Sequence, residues 1–133
     1  MGNLEASRDG LAQALHEHLD LLEEAARSIA ILRASGNIDQ EPLKTALERL
    51  KANRNKISEQ VKAIGEMDVT GREEDVIEDI IALLGYYVEI AYINERRLLL
   101  EVKDTLDTRE DLESLEKLKG SAELVLRSLG WPH

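Results

Sequence analysis

The chain has 133 residues, 43% of them apolar and 33% charged, with a net charge of −10, no cysteine and no phenylalanine. That length suits one domain with a core of its own, and the apolar content excludes a disordered tail. The missing cysteines exclude disulfides, thiolate catalysis and cysteine-ligated zinc, and the acidic balance argues against nucleic-acid binding, which needs clustered Lys and Arg.

A core made of Leu, Ile, Val and Ala, with only two prolines in the chain, suits packed helices better than a β-sandwich. The first helix is expected over about 4–34, with the stripe Leu11, Leu15, His18/Leu19, Leu22, Ala25/Ala26, Ile29 and Leu32 spaced three and four apart. Ser35-Gly36-Asn37 ends it, with Gly36 as a left-handed cap. A second helix over about 40–66 starts after Asp39 as N-cap, tolerates Pro42 in its first turn, and carries Leu43, Leu47, Leu50, Arg54, Ile57, Val61 and Ile64.

The third helix is expected over about 71–106, with Thr70 and Glu73 at capping-box spacing and acids loading its first turns. Ile77, Ile81, Leu84, Val88, Ala91, Leu98 and Val102 form one face, yet Tyr86, Tyr92, Ile93, Leu99 and Leu100 extend the apolar surface well round the helix. A helix apolar on so many sides must be covered on most of them. Either it is the central element that the other helices wrap, or Tyr86, Tyr92, Ile93 and Leu99 form an interface for a protein partner or a second copy, because tyrosines favour interfaces. The fourth helix, about 109–129, starts at Thr108 with Asp111 at capping-box spacing, carries Leu112, Leu115, Leu118, Ala122, Val125 and Leu129, and stops at Gly130-Trp131-Pro132. Connections this short fold each helix back on its predecessor, so the expected fold is all-α, a single-domain antiparallel up-down-up-down four-helix bundle.

Aligned by distance along the bundle, His18, Arg54, Glu95 and Lys119 fall within about 8 Å of one another at 1.5 Å per residue. Each interrupts or borders an apolar stripe. Three uses follow. They form a satisfied ionic network that sets helix register, Arg54 and Lys119 bury their stems and carry their charges out to water, or the four line a core site in which Arg54 and Lys119 clamp a small anion and Glu95 or His18 moves a proton. Asn94-Glu95-Arg96-Arg97-Leu98 resembles the Glu-Arg-Arg segment of helical chorismate mutases, a resemblance that implies an Arg/Lys/Glu core of the second kind.

Other patterns carry less chemistry. His16 and His18 point about 200° apart on a helix and cannot share a metal, and the chain contains no Glu-x-x-His. No metal and no cofactor is expected. Leu118-Lys119-Gly120-Ser121-Ala122 resembles the stretch after the phosphorylated histidine of histidine-phosphotransfer domains, but Glu116 stands where the histidine belongs. Leu32 to Asn37 with Leu43, Leu47 and Arg49 resembles the helical hairpins of flagellar export chaperones, which are also small and acidic. Arg127 and His133 have the spacing of some helical ribonuclease toxins, interrupted here by the helix-breaking Gly130-Trp131-Pro132.

No motif specifies a reaction. The leading expectation is a non-enzymatic protein-interaction module, of adaptor, small-chaperone or inhibitor type, that binds a partner or itself through the third helix. The alternative is the small-anion site in the polar core, and an acidic nucleic-acid mimic rests on charge alone. The N-terminus shows neither a secretory nor a myristoylation pattern, and the charges within the most apolar stretch disfavour a membrane span, so a cytoplasmic protein without membrane or nucleic-acid partners is expected.

Overall fold

The computed structural model describes residues 3–71 and 73–131. The sequence expectations that involve Pro132 and His133 lie outside them. The described residues are helical without a strand: α1 (Leu4–Ala34), α2 (Glu41–Glu66), α3 (Glu74–Tyr86), a π turn (Tyr87–Ala91), α4 (Tyr92–Glu101) and α5 (Arg109–Ser128). The α3 segment, the π turn and α4 run on without a break as the bundle's third helix. The four helices pack as an all-α bundle.

Contacts set the topology. Glu24 of α1 pairs with Arg49 of α2, and Glu17 pairs with Lys56, so the two helices run in opposite directions. Arg8 pairs with Asp79 and Arg33 with Glu101, so α1 and the third helix run the same way. Leu99 meets Thr108 while Tyr92 meets Glu116, which turns α5 back along the third helix. Neighbours around the bundle are α1 with α2, α2 with α5, α5 with the third helix, and the third helix with α1. It follows that α2 and the third helix stand diagonally opposite.

The helix ends satisfy backbone groups in their own ways. Asn3 caps α1, its side chain accepting from the Ala6 N–H at 3.1 Å. At the other end Gly36 has φ +67° and the Asn37 N–H bonds back to the Leu32 carbonyl at 2.8 Å. Gly130 (φ +101°) repeats the device after α5, with the Trp131 N–H on the Leu126 carbonyl. Trp131 then packs half-buried on the core near Gly85. Neither Asp39 nor Thr70 stands at a cap position, and Thr108 stands at that of α5 without a side-chain cap bond. Gln40 occupies the cap position of α2 and Glu73 that of α3, neither with a side-chain bond. The Thr108 hydroxyl is buried and donates instead to the Leu99 carbonyl.

The expected core face of the third helix needs correction. Val76, Ile80 and Leu84 are buried, while Ile77 and Ile81 are only half-buried. Beyond the π turn the buried set is Tyr92, Glu95, Leu98, Leu99 and Val102. On an unbroken α-helix, at roughly 100° per residue, Tyr92 and Leu99 would stand about 120° and 100° away from Ile80. A π turn takes up one extra residue and rotates everything after it back by about that angle. Both Tyr92 and Leu99 are thereby turned into the core. The breadth of the apolar surface in the sequence thus reflects two successive core faces joined by a change of phase.

Two length changes test this phase shift. Deleting the exposed Glu89 should convert the π turn to α-helix, keep Tyr92, Glu95 and Leu99 in phase, and change the urea-unfolding midpoint little. Inserting one alanine between Asn94 and Glu95 should cost at least about 3 kcal/mol by turning Glu95 away from its partners. Equal losses for both would refute the phase account.

Candidate functional site

The polar band forms at the bundle centre. Glu95 is 1% exposed, Arg54 2% and His18 0%. Arg54 sits on the buried stripe of α2 between Leu50 and Ile57, and its Nε donates to Glu95 Oε2 at 3.0 Å. This ion pair crosses the bundle diagonal, since α2 and the third helix are not neighbours. Glu95 Oε1 lies 2.8 Å from His18 Nε2. Donation to that carboxylate puts a proton on His18 Nε2, and Nδ1 is buried without a partner among the described residues.

The fourth member is Asp111, on α5, whose Oδ1 accepts from Arg54 Nη1 and Nη2, each at 3.2 Å. The sequence reading treats Asp111 only as a capping residue. The signal that identifies it is its position one turn before Leu115, on the face that continues through Leu118 and Ala122. Lys119, expected in the band, is elsewhere. Its ammonium lies 5.1 Å from the centre of the Tyr92 ring and 3.9 Å from Glu123, partly in solvent. The structure therefore brings together His18, Arg54 and Glu95, adds Asp111, and leaves Lys119 out.

Neighbouring polar groups extend the band. Asn53 Nδ2 donates to the Ala14 carbonyl at 3.1 Å. Tyr87 is fully buried with its hydroxyl unpartnered, and burial, reinforced by the Glu95 charge, raises its phenol strongly. Tyr92 donates to Glu116, and burial followed by that hydrogen bond pushes its phenol up to about 12. Of the Glu-Arg-Arg segment that resembles chorismate mutases, Glu95 enters the core, while Arg96 and Arg97 lie on the exposed side. Glu116, at the phosphotransfer position, is a surface carboxylate bonded to Tyr92.

The expected interface residues divide. Tyr92 and Leu99 are buried and form no surface patch, a correction that follows from the π turn. Tyr86 is half-buried and Ile93 is 44% exposed. Ile90 (48%) and Leu19 of α1 (44%) are exposed as well. Arg8, Leu19 and Arg33 fall on one face of α1, being 11 and 14 residues apart. The first and last reach Asp79 and Glu101 on the third helix. Leu19 therefore stands on the same seam, level with Ile90, between two ion pairs that hold the helices together. Sequence reasoning missed Leu19 by counting it with the core stripe.

Elsewhere a groove of about 510 Å³ between α2 and α5 is lined by Lys44, Leu47, Lys51, Arg54, Leu106 and Asp111, among others. Among the described residues no group of three or more His, Asp or Glu could hold a metal ion, and no helix is long and apolar enough to cross a membrane. No family model matches the chain, nor does any curated protein or solved structure.

Removing one partner from a buried ion pair strands the other charge. Arg54→Met should lose about 3–5 kcal/mol in chemical unfolding, Arg54→Met/Glu95→Leu should regain most of it, and Lys119→Met should cost under about 1 kcal/mol. An innocuous Arg54→Met would contradict the network. The raised phenols give a second prediction. A phenol that holds its proton more tightly when folded stabilises the bundle below the unfolded value of about 10, and that stability is lost as pH rises toward the folded value. Unfolding midpoints should fall above about pH 10, less steeply in Tyr87→Phe and Tyr92→Phe, and parallel curves for all three proteins would refute this.

Proposed function

We propose that this chain is a non-enzymatic protein-binding bundle that docks its partner on the outer seam between α1 and the third helix. The observation that carries this reading is the exposed pair Leu19 and Ile90 beside the Arg8–Asp79 and Arg33–Glu101 ion pairs of two packed helices, with Ile93 exposed next to them on the α5 flank of the third helix. A rigid two-helix platform with apolar side chains at its centre and charges at its ends has the arrangement of a protein-docking surface. The polar core supports the same reading by its closure. Both Glu95 oxygens are engaged and the carboxylate is 1% exposed, so a small ligand would have to displace Arg54 or His18 to reach it.

A second reading, a small-molecule site, draws on the groove beside Arg54. Its lining mixes charges, Lys44, Glu48, Lys51 and Arg54 on α2 facing Asp107, Glu110 and Asp111 across from them. Such a lining favours no single anion, which weakens the small-anion form of that reading.

A photo-crosslinking residue placed at Ile93 should form a discrete adduct, with another protein or with a second copy, that the same residue at Asn55 on the far helix α2 does not form. Ile90→Asp should abolish the adduct while leaving the helical circular dichroism unchanged. Equal labelling from both positions, or none from Ile93, would reject the docking seam.

A further inference from the structure

The occupant of this seam is set by the charge order along the third helix. Up to Glu89 its exposed charges include Glu74, Asp75, Glu78 and Asp79 and, among the described residues, no base. Beyond it come Arg96 and Arg97, and then Glu101 at the helix end. Asp79 is tied to Arg8 and Glu101 to Arg33, and Arg96 lies 3.4 Å from Glu116. Glu78 and Arg97 have no ion-pair partner among the described residues.

Those two residues would stand about 100° apart on an unbroken α-helix. The π turn removes that offset and brings Glu78 and Arg97 onto one outward line, with exposed Ala82, Ile90 and Ile93 and half-buried Tyr86 between them. The resulting order on one exposed face is acid, a mainly apolar centre that also carries Glu89, and base. Such a face is complementary to itself when reversed.

Resting on the docking seam proposed above, we infer that its partner is a second copy of this chain, with the two third helices antiparallel about a two-fold axis beside Tyr86 and Glu89. In that arrangement Glu78 faces the partner's Arg97 and Ala82 faces the partner's Ile93. The two-fold axis repeats both contacts. Tyr86 faces the partner's Glu89, and Leu19 widens the apolar contact from α1. Two compensated charge pairs offset, at the contact itself, the repulsion between two chains of net charge −10.

Charge reversal tests the pairing by sedimentation equilibrium over a concentration series. The wild-type chain should dimerise, and Glu78→Arg and Arg97→Glu should each weaken the dimer by at least about tenfold, because the symmetry counts each repulsion twice. An equimolar mixture of the two variants should restore the dimer, since each then supplies the charge the other lacks. That recovery also shows that the variants are folded. A wild-type chain still monomeric at about 1 mM, or a dimer indifferent to both reversals, overturns the inference. If the wild type is monomeric but the Ile93 probe captures a different protein, the docking seam stands and the second copy is rejected. If the probe captures nothing, both fall.

Discussion

The Arg54–Glu95 ion pair is the interaction on which the other parts of the bundle depend. It joins helices that share no side of the bundle, so it forms only if all four helices hold their relative heights and rotations. His18 closes the free Glu95 oxygen from α1, and Asp111 meets the outer edge of the guanidinium from α5. Each helix thus contributes one polar side chain to a single network. Leu, Ile and Val side chains on their own tolerate small slips of register, because one methyl contact replaces another at little cost. A charge left behind by such a slip would be buried and unpaired, at several kcal/mol.

That constraint also accounts for the π turn. Val76, Ile80 and Leu84 set the rotation of the third helix in its first half, and Glu95 and Leu99 set it in the second. The spacing between the two sets does not match an unbroken α-helix, and one five-residue π turn reconciles them. Regularising the helix without removing a residue would swing Tyr92 and Leu99 out of the core, so the core contacts hold the less common geometry in place. The fully buried Tyr87 lies inside that turn, close enough to Glu95 and Arg54 for their charges to act on its phenol.

The all-α bundle was legible in the sequence because three-and-four spacing and glycine stops are local signals, but the third helix, expected over about 71–106, runs only from Glu74 to Glu101, where no glycine marks its end. Three of the four candidate core residues were legible too, since Arg54 and Glu95 are charges on apolar stripes and can be ordered by their height along the bundle. Lys119 passed the same height test but fails on rotation: its long stem lets the ammonium reach out over the Tyr92 ring into partial solvent. Rotation also decided Tyr92 and Leu99. A helical wheel drawn at constant phase places them outside the core, and nothing local in Tyr87-Val88-Glu89-Ile90-Ala91 announces the change of phase. Asp111 was hidden for another reason, as an acid in a first helical turn already has an adequate explanation in the helix dipole.

The change of phase that completes the core also shapes the surface. Turning Tyr92 and Leu99 inward carries Arg97 outward onto the line of Glu78, so the same π turn that removes two residues from the expected interface orders the exposed face on which the proposed one is built. Polar residues in the core and apolar residues on the surface are both departures from the simplest bundle, and here they have different physical standing. The buried charges are compensated within the chain, residue by residue, and their contribution is complete once it has folded. Leu19, Ile90 and Ile93 remain in water although the helices beneath them are packed and laced by ion pairs. Folding leaves that apolar surface uncovered, so any further gain from burying it must come from association.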